Sequence, residues 1–308
     1  MPRKLADAAF SNAYLLLTLA ALFWGGNAVL ARAVHGHVPP IAMACIRWWV
    51  AFAIVLPFAL PYLRRDWAAI AGNLPMMIFL SVFGVGCYST FLYIGLNYTT
   101  AINAAVIPSS GPVLIALVCF FVFGDRLRPL QILGIAVSLL GVLAIIARGE
   151  IEALASLAFN QGDLWVLGAV LTWAVYTAFV RKRPDIHGLS FAVATFAIGS
   201  AAITPLFVAE HLSGWKLQLD AVTVLTLVYV SIFPSILSYL FFNRGVDLIG
   251  GARAGVFMHM VPLFGTALAI VFLGEALHLY HVLGFALILL GVTMTARGPR
   301  PLSASRER

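Results

Sequence analysis

Phe123-Gly124-Asp125-Arg126-Leu127-Arg128 closes one apolar run of this chain, and Leu273-Gly274-Glu275-Ala276-Leu277-His278 closes another; the glycine and the acid recur at an offset of 150 (274 − 124, 275 − 125). Working outward, Gly95, Pro112, Gly134 and Gly141 return as Gly245, Pro262, Gly284 and Gly291 at the same offset, while Trp24 and Arg32 return as Trp173 and Arg181 at 149. One glycine pair would be coincidence, but a fixed offset held across several hydrophobic segments marks duplication. The chain therefore reads as two copies of one unit laid end to end.

Composition supplies the solvent. The 308 residues are 62% hydrophobic and only 10% charged, with a mean hydropathy of +0.99, which a soluble core of this size does not require. A helix needs roughly 20 apolar residues to cross about 30 Å of hydrocarbon. Ten such spans are read, near 12–34, 39–62, 72–95, 99–123, 129–147, 161–181, 187–209, 219–243, 250–273 and 279–296. The expected fold is an all-α membrane protein, ten transmembrane helices arranged as two five-helix inverted repeats, because an odd number of crossings per copy turns the second copy upside down. Residues 1–148 form the first unit, 149–160 a connecting loop, 161–297 the second unit and 298–308 a tail. Two related halves that exchange conformations are how many secondary transporters open one site to either side.

Orientation follows from the basic residues, which collect in cytoplasmic loops. With the N-terminus inside, fifteen of the 19 Lys and Arg residues fall inside and three (Arg32, Arg148, Lys216) outside, while Arg47 lies within a span. Both termini are thus expected in the cytoplasm of a bacterial cell, and the protein in its inner membrane. The Asp125 motif keeps two arginines and the Glu275 motif has neither, as inversion demands. The basic start Met1 to Lys4 precedes an uncleaved first span rather than a signal peptide. The formal charge of +7 is a topology signal with attraction to anionic headgroups; it does not indicate nucleic acid. A phosphate-cradling Gly-x-x-x-x-Gly-Lys-Ser/Thr pattern is absent, which argues against ATP-driven pumping by this chain alone. Cys45, Cys87 and Cys119 fall inside spans and read as small packers rather than a disulfide framework. No cofactor and no metal site is expected, and His35, His37, His278 and His281 read as solvated loop residues.

Polar groups in hydrocarbon are costly and so mark a substrate path. Every acid falls in a loop, a terminus or a span end, which argues against a drug/proton antiporter built on a buried Glu. Arg47 either binds a substrate carboxylate or snorkels to the outer interface. His259, at the position equivalent to Ser109, is either a polar contact for substrate or a helix-packing bond. The stretch Pro108-Ser109-Ser110-Gly111-Pro112 loosens the fourth span and Pro262 the ninth, so Pro108, Pro112 and Pro262 are candidate bending positions. An aromatic set, Trp24 with Asn27, Tyr88 and Tyr93, Trp173 with Tyr176, and Tyr239 with Asn243, either lines a cavity for a flat, partly apolar solute or forms interfacial belts. Trp48, Trp49, Trp67, Trp165 and Trp215 read as interface anchors. Gly134, Ser138 and Gly141, and Gly284 and Gly291, make small-residue stripes for packing or dimerisation, leaving monomer or homodimer open.

Taken in order and spacing, Leu22-Phe23-Trp24-Gly25-Gly26-Asn27, Arg47-Trp48-Trp49-Val50-Ala51, Pro112 ahead of Phe123 to Leu127, Gly134 through Gly141, and the second-copy versions around Trp173, Pro262 and Leu273-Gly274-Glu275 resemble the drug/metabolite transporter superfamily, specifically its ten-span EamA-type family. Within it the chain is similar to the YddG-type exporters of aromatic amino acids. The resemblance implies a basket of two inverted repeats with spans five and ten peripheral, a central cavity, and export of small metabolites across the bacterial inner membrane. On this reading Trp24, Tyr88, Trp173, Tyr176 and Tyr239 line the cavity, with polar contacts from Ser109, Ser110 and His259. The expected partners are a small-molecule substrate and the lipid bilayer. The alternatives are a proton-coupled multidrug or cation exporter and, from a different class, an intramembrane hydrolase using Ser109 or Ser110 with His259; no enzyme activity is expected.

Overall fold

The computed structural model describes residues 10–33, 38–99, 107–147, 160–214, 217, 220–273, 276 and 278–297. Most of the connecting loop, the tail 298–308, Trp215, Glu275 and the side chain of Arg32 lie outside the described residues. Among those described there is no strand. The α-helices are α1 (Ala13–Ala33), α2 (Pro40–Gly72), α3 (Leu74–Ser81), α4 (Tyr88–Tyr98), α5 (Gly111–Phe123), α6 (Pro129–Ile146), α7 (Gln161–Phe179), α8 (Gly188–Leu212), α9 (Ala221–Val230), α10 (Ser238–Ile249), α11 (Gly251–Val256), α12 (Met260–Leu273) and α13 (Leu279–Arg297). Six continuous helical stretches are long and apolar enough to cross a membrane: Pro40–Gly72, Leu74–Gly95, Gln161–Lys182, Gly188–Leu212, Ala221–Ile249 and Gly251–Phe272. The shorter apolar helices Ala13–Asn27, Ile107–Phe123, Pro129–Ile145 and Leu279–Thr295 accompany them. Phe58, Phe121, Leu164, Leu225 and Val271 each leave more than two thirds of their surface exposed, the outward face expected of a chain solvated by lipid.

Breaks in these helices recur with the sequence repeat. A π-helical turn, Val82–Cys87, joins α3 to α4, and another, Ser231–Leu237, joins α9 to α10. Pro234, inside the second turn, lacks the N–H that an α-helical bond would need. Ser235 Oγ donates to Val230 O at 2.6 Å and Ser238 Oγ to Phe233 O at 3.0 Å, taking up carbonyls that the widened turn releases. Ahead of each turn an equivalent serine bonds back one turn: Ser81 Oγ to Met77 O and Ser231 Oγ to Leu227 O, both at 2.6 Å. The 3-10 turns Ile107–Ser110 and Phe257–His259 form a second matched pair. Pro108 lies in the first of these, Pro112 near the start of α5 and Pro262 in the first turn of α12. In the first turn a missing N–H costs nothing; Pro112 and Pro262 thus start helices after the break rather than kinking them.

The small-residue stripes are spent within the chain, as packing rather than as a dimer face. Gly134 meets Gly291 and Gly141 meets Gly284, in reversed order, so α6 and α13 pack antiparallel. A Cβ on Gly291 would lie 2.4 Å from Gly134 O, and one on Gly141 would lie 2.7 Å from Gly284 O. Without water to drive helices together, close backbone approach of this kind is a main source of association.

The longest helix departs from expectation. α2 has 33 residues and runs ten positions past the expected end at 62, through Arg64-Arg65-Asp66. The reason is a tertiary use for Asp66: its Oδ2 accepts the backbone N–H of His187 at 2.8 Å, just ahead of α8. At the other end of the same helix pair Glu210, near the end of α8, accepts Ile41 N at 2.9 Å and Ala42 N at 2.7 Å. Each helix thus uses a carboxylate near its C-terminus to satisfy orphan N–H groups at the other's N-terminus. Gly124, at φ +70°, ends α5 in the left-handed conformation that favours glycine. Asn160 and Asp163 form a reciprocal capping pair that starts α7.

Candidate substrate-binding site

Where the broken helices converge lies a cavity of about 30 Å³, lined by Trp24, Arg47, Trp48, Gly84, Tyr88, Trp173, Pro234, Tyr239 and Met258. Pockets for drug-sized ligands run to roughly 300–1,000 Å³; the structure is therefore closed around this point.

The wall is built from rings that brace one another. Trp24 and Trp173, equivalent in the sequence repeat, meet edge to face at 5.6 Å and 88°. Trp173 also packs on Tyr88 at 5.1 Å, Tyr176 at 5.1 Å and Phe242 at 5.3 Å. Trp48 contacts Phe196 at 4.9 Å and Tyr239 at 5.8 Å. Offset and edge-on contacts of this sort fix ring orientation beyond what burial alone would do.

The polar atoms of these rings divide into spent and unspent. Trp24 Nε1 donates to Pro234 O at 3.1 Å, a carbonyl in the second π turn. Trp48 Nε1 donates to Ser89 Oγ at 2.9 Å. Tyr239 OH lies 3.2 Å from Thr195 Oγ1. Trp173 Nε1 is buried with no hydrogen-bond partner, and so is Arg47 Nε.

Arg47 does not snorkel. It is 6% exposed, its Nη1 donates to Tyr93 OH at 2.9 Å, and its guanidinium carbon sits 4.8 Å from the Trp48 ring centre. No carboxylate among the described residues pairs with it.

Of the residues singled out from sequence, Trp24, Arg47, Tyr88, Trp173 and Tyr239 come together on this wall. Tyr93 stands behind it, holding Arg47. Tyr176 is wholly buried and donates to Asn243 Oδ1 at 2.7 Å. Asn27 is partly buried one turn from Trp24, off the wall, with Oδ1 lacking a partner.

Ser109, Ser110 and His259 lie away from the cavity wall. Ser110 Oγ donates to Ile107 O at 2.7 Å. His259 Nε2 lies 2.9 Å from the Ser109 carbonyl oxygen and Nδ1 lies 2.6 Å from Ser138 Oγ. A carbonyl only accepts, so Nε2 carries the proton and Nδ1 accepts from Ser138 in the neutral ring. The histidine thus pins the first 3-10 turn to α6. It approaches the Ser109 backbone rather than a serine nucleophile of that turn, which removes the pairing that a hydrolase reading needs.

Trp48, expected as an interface anchor, is 2% exposed and on the wall, whereas Trp49 is 38% exposed. Its signal was present: Ala44, Trp48, Ala51, Val55 and Ala59, at helical spacing, are all buried. Gly84 and Pro234, also missed, are equivalent at the offset of 150 and lie in the two π turns.

The EamA-like transporter family model matches this chain twice, over residues 11–147 and 160–297. The chain belongs to the EamA-like transporter family. This EamA-like protein is a multi-pass membrane protein, and its relatives are named as transporters. It is 28% identical to the uncharacterized transporter YyaM of Bacillus subtilis (strain 168), over 93% of this chain and 94% of that protein. It is 26% identical to proteins named as probable amino-acid metabolite efflux pumps in Salmonella typhimurium (94% and 97% covered) and Escherichia coli K12 (93% and 95% covered). A solved crystal structure with 22% identity shares the fold at a TM-score of 0.76, over 92% of this chain and 95% of that one.

Proposed function

We propose that the protein is a secondary transporter that exports small amphiphilic metabolites, amino acids including aromatic ones among them, by alternating access through the cavity between Trp24 and Trp173. The observation that carries this reading is the wall itself: aromatic faces for a flat apolar body and one buried guanidinium for a polar end. Efflux pumps for amino-acid metabolites among the relatives agree with it.

The proposed architecture is two five-span units of opposite orientation, 1–148 and 161–297, joined by 149–160, in a bacterial inner membrane with both termini cytoplasmic. In its support, the twice-matching family model, the two π turns, the two 3-10 turns and the reciprocal glycine pairs all fall at the repeat offset. Alternating access needs two matched halves, which a hydrolase or a scaffold does not. A cation or multidrug exporter would need a carboxylate on the wall, and none lines it among the described residues. Facilitated flow down the substrate gradient is therefore the proposed mode.

Counterflow in proteoliposomes tests the reading. Vesicles loaded with unlabelled phenylalanine should accumulate a trace of labelled phenylalanine above protein-free liposomes, with or without a protonophore. Failure with both phenylalanine and threonine would refute the amino-acid reading, and loss with the protonophore would refute facilitated flow.

A further inference from the structure

Resting on the transporter reading of this cavity, we infer that the site recognises substrate by its carboxylate, through Arg47 and the Trp173 indole N–H, and that a substrate amine is dispensable. The substrate class is then the aromatic or apolar monocarboxylate, with amino acids as its zwitterionic members.

Two independent observations point the same way. Arg47 is a buried cation with no carboxylate beside it among the described residues, and removing a charge from water without a counter-charge is costly. Tyr93 accepts one of its five donors and Trp48 lies against its face, while Nε is left without a partner. Trp173 is 4% exposed and is the one indole of three on the wall whose N–H is unspent. A buried donor left unmade carries its full desolvation cost, so both groups favour a ligand that accepts. A carboxylate only accepts, through two oxygens, and suits the planar guanidinium fork.

An ammonium group finds the opposite environment. The lining residues include no acid, and Pro234 O already accepts from Trp24. What remains for an amine is the faces of the rings, worth less than an ion pair, beside a fixed positive charge that repels it. Selection should therefore run anion, then zwitterion, with the cation excluded.

Three probes of one shape separate these charges at neutral pH: 3-phenylpropionate (carboxylate only), phenylalanine (both groups) and 2-phenylethylamine (amine only). Labelled phenylalanine and labelled phenylpropionate are each followed in counterflow, with every probe as competitor. Phenylpropionate should compete at least as well as phenylalanine, and phenylethylamine on the order of 30-fold more weakly. Arg47→Gln should weaken both acids on the order of 10- to 100-fold and leave phenylethylamine unmoved, with partial rescue in Arg47→Lys. Trp173→Phe keeps a ring but removes the N–H, and should weaken the acids by roughly 5- to 10-fold. If Arg47→Gln does not elute as a single species, the wild-type ranking and Trp173→Phe still decide the matter. Phenylethylamine competing as strongly as phenylpropionate while phenylalanine is carried would overturn carboxylate selection and leave the transporter reading standing. Phenylpropionate carried without phenylalanine would uphold it and remove amino acids from the class. Uptake of none of the three by folded protein would overturn both.

Discussion

Replacing Gly291 with alanine tests the closest seam in the molecule. The new methyl would lie 2.4 Å from Gly134 O, 2.5 Å from Ser138 N and 2.7 Å from Ser138 Cβ. The first two are backbone atoms and cannot rotate away. Ordinary contact begins at 3.4 Å, so α6 and α13 must separate by about 1 Å, a gap that forfeits a quarter to a half of each dispersion contact along the seam. Overpacking costs about 1–3 kcal/mol, and a contact this short belongs in the upper part of that range. Alanine returns roughly 0.5–1 kcal/mol of helix propensity. The net loss is about 2 kcal/mol, a fall in Tm of roughly 4–8 °C. Gly265→Ala is the control, since its nearest atoms would be at 3.6 and 3.9 Å; it should hold or raise Tm. The measurement is thermal unfolding of purified protein in detergent and again in lipid nanodiscs. A Gly291→Ala protein that melts within about 1 °C of wild type, or a Gly265→Ala protein that falls as far, would refute this account of the seam.

Two further outcomes follow from the helix-end carboxylates. Glu210→Ala removes acceptors from two N–H groups at the start of α2 and should cost about 2 kcal/mol, with Glu210→Gln losing roughly half as much; unchanged melting of Glu210→Ala would contradict the cap. His187, in the turn before α8, stacks on Tyr62 at 3.7 Å and 5°. Burial lowers its pKa, with Asp66 opposing and Arg65 assisting. The unfolded chain then binds the extra proton between that lowered value and about 6.5. This contribution is fully present above about pH 6.5 and is lost as pH falls toward the folded value. His187→Gln should flatten the acid limb of a Tm–pH curve, and an identical limb in the variant would dismiss the assignment.

Membrane character and the recurring landmarks were legible in the chain because both are local properties: apolar run length, and residue identity at a fixed offset. Trp24 and Trp173 stood out by recurrence, and they meet in space. Trp48 did not, because adjacent Trp48 and Trp49 look alike in a sequence although about 100° of helical turn separates them, placing one on the cavity wall and leaving the other half exposed. His259 was read as one member of a polar set, and its partners proved to be the Ser109 backbone carbonyl and Ser138, the latter 121 positions away. The end of α2 was misjudged because Arg64-Arg65-Asp66 carries loop chemistry, whereas Asp66 caps a helix from the other half of the chain.

The sequence by itself determined that this chain lives in a bilayer, that it repeats, and which few polar residues lie within its apolar runs. Hydrocarbon admits only long apolar helices that satisfy their own backbones, and that constraint can be read residue by residue. Tertiary structure alone decided which of those polar atoms are satisfied inside the fold. Trp24 and Trp173 are the same residue type at equivalent positions, yet one indole spends its N–H on the Pro234 carbonyl and the other keeps it. A hydrogen bond between residues 210 positions apart exists only once the helices have packed, and whether Trp173 and Arg47 are left to meet a ligand is settled by what every other donor has already found.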